Sequence, residues 1–223
     1  MRRRIVFLGP PGAGKGTQAQ MLAEFLGVPV IATGDLLRAE VAADTPLGRQ
    51  AREFMEQGAL VPDPLVMEIL KRRLAQPDCE QGFILDGFPR TLAQAQALEE
   101  LLGPQGRAIE AVLELEVPEA VLVERFSGRR VCRHCGHVYH LHTHPPRCAG
   151  TCDRCGDALI QRADDTPATV RTRLQIYHQA TEPLIHFYRE RGLLHRIDGS
   201  GDIDRIQHAT REVVVAQDDT QGA

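Results

Sequence analysis

The stretch Gly9-Pro-Pro-Gly-Ala-Gly-Lys-Gly-Thr17 decides the fold, and the rest of the chain is organised around it. It follows an apolar run at 5–8, which predicts a buried strand, and precedes an amphipathic run at 18–26, which predicts a helix. A glycine-rich turn between a strand and a helix lets successive backbone N–H groups converge on one anion, beside the positive end of the helix. The stretch therefore predicts a phosphate-binding loop, in which Lys15 is the charge that reaches the outer phosphates.

Composition and charge narrow the class of protein. The chain has 223 residues and a formal net charge of −4, and 43% of its residues are hydrophobic. That apolar fraction is ample for a buried core, and the net charge offers no global basic face for nucleic acid. No apolar run approaches the roughly 18 residues of a membrane span, and the run after the basic start is too short for a signal sequence. We expect a cytoplasmic monomer that binds neither nucleic acid nor a membrane.

Apolar runs that predict strands alternate with amphipathic runs that predict helices. The predicted strands lie at 5–8, 30–33, 82–90 with its exit turn, 111–117 and 193–197. This alternation predicts an α/β fold of three layers, with a five-stranded parallel sheet covered by helices on both faces. Ligands of such sheets bind beyond the carboxyl ends of the strands, where this chain has the phosphate loop, Thr33 and Asp86. A helical apolar period at 167–191 predicts one long helix near the end.

Residues 128–165 interrupt the alternation and are rich in Cys, His, Gly and Pro. Within them, Cys132-x-x-Cys135 and Cys152-x-x-Cys155 stand sixteen residues apart. Two such knuckles complete a tetrahedral shell of four thiolates, which leaves no open position on a zinc ion. The spacing predicts a structural zinc site in a small inserted domain. The alternatives are four free thiols, or a shell in which Cys148 or one of the intervening histidines replaces a cysteine.

Asp86 ends an apolar strand, and in a phosphate-loop protein that position serves Mg²⁺, directly or through water. The alternative is that Asp86 caps the helix that begins near Thr91. Six arginines stand at loops or helix ends where a pocket could form, and phosphoryl transfer needs such donors around the phosphate oxygens. They are Arg38, Arg90, Arg125, Arg129, Arg162 and Arg173.

Together these motifs resemble those of the adenylate kinases, in the long form whose lid carries a pair of zinc knuckles. The resemblance runs from Arg4 to about Val215. It rests on the phosphate loop at 9–17, Thr-Gly-Asp-Leu-Leu-Arg at 33–38, Leu-Asp-Gly-Phe-Pro-Arg-Thr at 85–91, Gly-Arg-Arg at 128–130 and Arg162-x-Asp164-Asp165. It implies the reaction ATP + AMP ⇌ 2 ADP with Mg²⁺, and a structural zinc ion.

The resemblance also implies a division of the chain into three parts. A phosphate-loop core would comprise 1–31, 62–127 and 166–223. A helical insert at 32–61 would bind the nucleoside monophosphate, and the zinc-bearing lid would occupy 128–165. Closure of the lid would exclude water from the transferring phosphoryl group.

The family motifs imply site residues position by position. The ATP side would comprise Gly12, Ala13, Gly14, Lys15, Gly16, Thr17, Arg125, Arg129, Val138, Tyr139 and Gly201. The AMP side would comprise Thr33, Arg38, Ala59, Leu60, Val61, Gly87, Phe88, Pro89, Arg90, Gln94, Arg162 and Arg173. The catalytic set would comprise Lys15, Arg90, Arg129, Arg162 and Arg173. The metal ligands would be Cys132, Cys135, Cys152 and Cys155 for zinc, and Asp86 for Mg²⁺.

Three rival functions remain open on the sequence. One is a kinase for UMP or CMP, or one that uses GTP, although Thr33 and Gln94 favour AMP because Gln can pair with an adenine edge. A second is a nucleic-acid-binding zinc ribbon fused to an NTPase, which the net charge and the scarcity of aromatic residues near the cysteines disfavour. A third is a GTPase-type switch, which would hydrolyse nucleotide without an acceptor.

Overall fold

The computed structural model describes residues 1–142, 144–162, 165 and 167–216. Asp164, which belongs to one of the motifs quoted above, lies outside them. The strands are β1 (Arg4–Leu8), β2 (Val30–Ala32), β3 (Phe83–Asp86), β4 (Ala111–Glu116), β5 (Arg129–Cys132), β6 (Val138–His140), β7 (Leu159–Ile160) and β8 (Leu194–Asp198). The helices are α1 (Lys15–Leu26), α2 (Thr33–Ala42), α3 (Pro46–Gln57), α4 (Asp63–Leu74), α5 (Leu92–Leu102), α6 (Glu119–Gly128), α7 (Pro167–Ile176), α8 (Pro183–Glu190) and α9 (Ile203–Val215).

Within the described residues, five strands form one parallel sheet in the order β2-β3-β1-β4-β8. The fold class predicted from the sequence is therefore confirmed. The first strand lies at the centre of the sheet, between β3 and β4, so the phosphate loop that follows it opens at the middle of the carboxyl edge. Asp86 pairs in register with Phe7 of β1 and with Ala32 of β2. This register brings the ends of the three strands to one place.

Alternate residues of the central strand face the two layers of helices. Val6 and Leu8 belong to a core cluster that includes side chains of α4, α5 and α8. Ile5 and Phe7 point to the opposite face and pack with side chains of α1, α6 and α9. A strand that is apolar on both faces can be buried only between two layers, which explains why its run is continuously hydrophobic.

Two details of the helices differ from the sequence-based expectation. The second strand ends one residue early, and α2 begins at Thr33. The long helix expected at 167–191 is divided into α7 and α8 by a widened turn at Tyr177–Thr181. In this turn the N–H of Glu182 donates to the carbonyl of Tyr177, five residues back, at 2.8 Å. Pro183 follows and has no N–H to offer, so the regular pattern cannot run through this point.

The cysteine-rich insertion forms a small antiparallel sheet in the order β6-β5-β7. Its first strand continues directly from α6, so the small sheet is attached at the end of a core helix. Among the helices of the described residues, none combines the length and the apolar character needed to cross a membrane.

Candidate active site

The phosphate loop has a backbone conformation that favours glycine at three positions. Gly9, Gly12 and Gly14 have positive φ angles of 138°, 83° and 94°. A Cβ atom on Gly9 would lie 2.7 Å from the carbonyl oxygen of Leu115, and one on Gly12 would lie 2.9 Å from the ring of Phe126. The loop is therefore pressed against β4 and α6, and its conformation is available to glycine because glycine has no side chain to clash.

Lys15 opens α1 and folds back over the loop. Its Nζ atom donates to the carbonyl oxygens of Gly9 and Pro10 at 2.8 and 2.9 Å. Burial lowers the pKa of Lys15 to about 8, and the positive charges of Arg90, Arg173 and Arg129 act in the same direction. The carboxylate of Asp86 opposes this shift by favouring the charged ammonium. Lys15 is thus buried near the positive charges of three arginines and the negative charge of one carboxylate.

Asp86 faces the first turn of α1, where a Cβ atom on Gly16 would lie 3.2 Å from its Oδ2 atom. The alternative that Asp86 caps the next helix does not hold, because the side chain of Thr91 accepts the N–H of Gln94 and caps α5. Asp86 therefore stands beside the phosphate loop with a carboxylate suited to Mg²⁺.

Two of the predicted arginines share one buried carboxylate. Asp165 accepts a hydrogen bond from Arg129 Nε at 2.8 Å, and its Oδ1 atom lies 3.7 Å from Arg173 Nη1. Both guanidinium groups also lie over the ring of Phe126, at 5.1 and 5.9 Å from its centroid. Because the Asp165 side chain is fully buried, it holds the two cations close together despite their mutual repulsion.

The other predicted arginines connect the parts of the site. Arg125 donates to the carbonyl oxygens of Ala13 in the phosphate loop, at 3.2 Å, and of Gly199 after β8, at 2.8 Å. Arg38 and Arg162 both pair with Asp35 of α2, the latter at 3.4 Å. Arg162 therefore joins the cysteine-rich insertion to α2 on the opposite side of the site.

Two neighbouring clefts meet between these groups. One is lined by residues predicted for AMP, including Thr33, Arg38, Ala59, Leu60, Val61, Gly87 and Gln94. The other is lined by Lys15, Gly9 and Pro89 among others. Both clefts share Arg90 and Arg173. Arg90 and Arg173 therefore stand where the two clefts adjoin.

The polar groups of the first cleft are held in fixed directions. Thr33 donates its hydroxyl proton to the carbonyl oxygen of Gly87 at 2.8 Å, and Arg90 Nε donates to the same oxygen at 2.8 Å. Gln94, which is 2% exposed, accepts the backbone N–H of Arg90 at 2.7 Å and donates to Asp63 at 2.6 Å. The directions of these polar groups are thus fixed before any ligand binds.

The four predicted zinc ligands come together. Their Sγ atoms all lie within 4.8 Å of one another, with Cys132 to Cys155 at 3.4 Å and Cys135 to Cys152 at 3.6 Å. A zinc–sulfur bond of about 2.3 Å places the sulfurs of a tetrahedral shell about 3.8 Å apart, so the donor set fits zinc. Cys148 is exposed and is not part of this cluster.

Neither cleft is lined by Tyr139, Phe88 or Gly201, which are among the predicted site residues. The hydroxyl of Tyr139 accepts the N–H of Asp153 at 2.7 Å and lies 3.5 Å from Cys152 Sγ, so its side chain packs against the cysteine cluster. Phe88 is 1% exposed and packs into the core. Gly201 follows β8, two residues beyond the Gly199 carbonyl that Arg125 contacts.

Two carboxylates of the site were not assigned a role from the sequence. From the sequence, Asp165 is named only as the last residue of the motif that begins at Arg162. Its place in that motif is the signal that could have identified it as a site residue. Asp63 begins α4 and carries no local signal beyond a helix start, because its contact with Gln94 joins positions 31 residues apart.

Comparisons with known proteins agree with this geometry. Residues 7–193 match the family model described as adenylate kinase. An adenylate kinase of Archaeoglobus fulgidus is 55% identical over 202 residues, which are 91% of this chain and 93% of the relative. Adenylate kinases of Moorella thermoacetica and Symbiobacterium thermophilum are 53% and 50% identical, over 91% and 95% of this chain and 94% and 98% of theirs.

Proposed function

The chain belongs to the adenylate kinase family, and on that premise we propose that it transfers the terminal phosphoryl group of ATP reversibly to AMP, giving two ADP. The observation that carries the proposal is the pair of clefts that share Arg90 and Arg173. One cleft is lined by Gly9, Pro11 and Lys15 of the phosphate loop, which suits the donor, and the other by Thr33 and Gln94, which suit the acceptor. The shared arginines stand where the phosphoryl group would cross.

Phosphoryl transfer requires positioning and charge stabilisation more than covalent chemistry. The backbone N–H groups at 12–17 and the Lys15 ammonium would hold the phosphates of ATP. Arg90 and Arg173 would bind the phosphoryl group in flight, and Arg129 and Arg162 would complete the positive shell. Bidentate guanidinium groups suit this task because their fork matches two phosphate oxygens.

Two metal ions belong to the proposal. Asp86 would hold the Mg²⁺ that enters with ATP, and this ion supplies neutralisation of charge on the phosphate oxygens. Zinc at Cys132, Cys135, Cys152 and Cys155 would be structural, because four protein ligands leave no position for substrate. The ATP and AMP residues named from the family motifs, including Val138 and Gly201, are carried forward as part of this proposal.

The division into parts is proposed as well. The core at 1–31, 62–127 and 166–223 would hold the phosphate loop, and the inserts at 32–61 and 128–165 would close over the two nucleotides. A monomer is proposed as the working form. Thiolates for zinc favour a reducing compartment, which supports the cytoplasm.

A direct assay tests the function. The purified protein is incubated with Mg-ATP and, separately, with AMP, CMP, UMP or GMP, and the products are resolved by chromatography. We expect rapid formation of ADP with AMP alone among these acceptors. Preference for UMP or CMP would overturn the assignment of the acceptor, and ADP release without any acceptor would favour the switch-type NTPase.

A further inference from the structure

We propose that Asp63 fixes the direction of the Gln94 amide and thereby makes the acceptor cleft select 6-aminopurine over 6-oxopurine nucleotides. The proposal rests on the proposed function and deepens it by naming a positioning residue for the choice of base. Asp63 does not line the cleft, whereas Gln94 does. Asp63 would therefore act through Gln94 and not through the nucleotide.

The direction of the Gln94 amide is unambiguous because its two partners cannot exchange roles. Its Oε1 atom accepts the backbone N–H of Arg90 at 2.7 Å, and a backbone N–H can only donate. Its Nε2 atom donates to Asp63 Oδ1 at 2.6 Å, and an ionised carboxylate can only accept. A rotated amide would face two mismatched partners inside a site where Gln94 is 2% exposed.

Asp63 is itself held in place. Its Oδ2 atom accepts the hydroxyl proton of Thr91 at 3.1 Å, and the Thr91 oxygen accepts the N–H of Gln94 at 3.1 Å. The three residues thus form a closed ring of hydrogen bonds in which each donor has one acceptor. The ring joins the first residue of α4 to the start of α5.

The held amide has one hydrogen on Nε2 and one lone pair on Oε1 left for a ligand. Adenine offers an amino group at C6 and an acceptor at N1, which match such a lone pair and hydrogen. Hypoxanthine reverses both groups, with an oxygen at C6 and a hydrogen on N1. An amide that cannot rotate satisfies one arrangement and opposes the other, since mismatched buried polar groups stay unpaired.

The test compares Asp63→Ala with wild type in equilibrium binding of AMP and IMP, measured by calorimetry without ATP, and in KM for each acceptor. IMP differs from AMP only in the two reversed groups. We expect Asp63→Ala to reduce the preference for AMP over IMP about tenfold or more, with affinity for ATP retained. Asp63→Asn keeps the shape but can present an oxygen or an amino group, so we expect a smaller change of the same sign.

Asp204→Ala is the matched control, because Asp204 also stands in the first turn of a helix and is exposed. It removes the same charge, and we expect it to leave the ratio of AMP to IMP affinity unchanged. A thermal melt of each variant shows whether it is folded. Partial unfolding would lower the affinities for AMP and IMP together, whereas altered selectivity changes their ratio.

A double-mutant cycle decides whether Asp63 acts through Gln94. In a Gln94→Ala background, Asp63→Ala should cause no further change in the AMP to IMP ratio. An equal change in both backgrounds would overturn the proposal, as would an unchanged ratio in both Asp63 variants or a wild type that binds the two nucleotides equally. A wild type that prefers AMP in binding but transfers no phosphoryl group would overturn the proposed function and leave this inference standing.

Discussion

The carboxylate of Asp165 accepts a hydrogen bond from Arg129 Nε at 2.8 Å while fully buried. Its other oxygen lies 3.7 Å from Arg173. Two like charges would separate without a shared counterion, so Asp165 keeps both guanidinium groups near the place where the phosphoryl group would cross. Preorganised charge of this kind is a principal source of rate enhancement, because no reorganisation is needed during the reaction.

We predict that Asp165→Asn lowers turnover by about tenfold to a hundredfold, because loss of the counterion lets Arg129 and Arg173 move apart. Steady-state kinetics with saturating ATP and AMP measures the effect. Asp44→Asn is the control, since Asp44 forms an exposed pair with Arg52 at 3.0 Å and exposed pairs contribute little. Equal effects of the two substitutions would contradict the role given to Asp165.

Lys15→Ala should leave the fold intact and lower turnover by two to three orders of magnitude. The lost charge stabilisation is roughly 3–4 kcal/mol, by analogy with a single donor in an oxyanion-type site. Lys15→Arg should also be poor, because the larger fork does not fit where Lys15 reaches the carbonyl groups of Gly9 and Pro10.

Lys71→Ala is the control for the lysine variants, because Lys71 is exposed and is the second of the two lysines in the chain. We expect wild-type turnover from it. Near-normal turnover of Lys15→Ala, with ATP and AMP both present, would exclude a catalytic role for Lys15.

The lowered pKa of Lys15 predicts a pH dependence on the donor side. With a pKa of about 8 in the nucleotide-free protein, Lys15 is charged below that pH and becomes neutral above it. The ratio kcat/KM for ATP reports the free enzyme, so it should fall as pH rises through about 8. In kcat, which is measured at saturating ATP, the same fall should occur at a higher pH. The reason is that the bound phosphates favour the charged form of Lys15.

The comparison variant for the pH profile is Asp86→Asn. Asp86 favours the charged form of Lys15, so its neutralisation should move the fall in kcat/KM to lower pH. A profile that is flat between pH 7 and 9.5 in the wild type would show that Lys15 does not titrate in this range.

Zinc content should depend on the four clustered cysteines and not on Cys148. We expect one zinc per chain in Cys148→Ser, and loss or severe weakening of zinc binding in Cys152→Ser, as measured by atomic spectroscopy. Since structural zinc in small domains contributes about 10–16 kcal/mol of binding free energy, its removal should also lower the melting temperature.

Activity at low temperature separates a structural zinc from a catalytic one. Chemistry should persist after gentle removal of zinc, because all four ligands are protein thiolates. Retention of zinc in Cys152→Ser with loss in Cys148→Ser would contradict the ligand assignment. Complete loss of activity with the insertion still folded would contradict the structural role.

The sequence by itself determined the features that are local along the chain. The glycine loop is recognisable from its own residues and their flanking runs, and the alternation of strands and helices follows from hydrophobic period. The Cys-x-x-Cys knuckles close on themselves, as the N–H of Gly136 bonding to the carbonyl of Cys132 shows at 3.1 Å. Each of these signals involves neighbours in sequence, so each could be interpreted before any tertiary contact was known.

Only the tertiary structure decided which distant groups meet. The order β2-β3-β1-β4-β8 places Asp86 beside the phosphate loop, and the tertiary fold brings Arg129 of β5 and Arg173 of α7 to Asp165. The contact between Asp63 and Gln94 spans 31 positions and depends on how α4 and α5 pack. Carboxylates are common at helix starts. One becomes a counterion or a positioning group when it is buried against a partner that lies far away in the sequence.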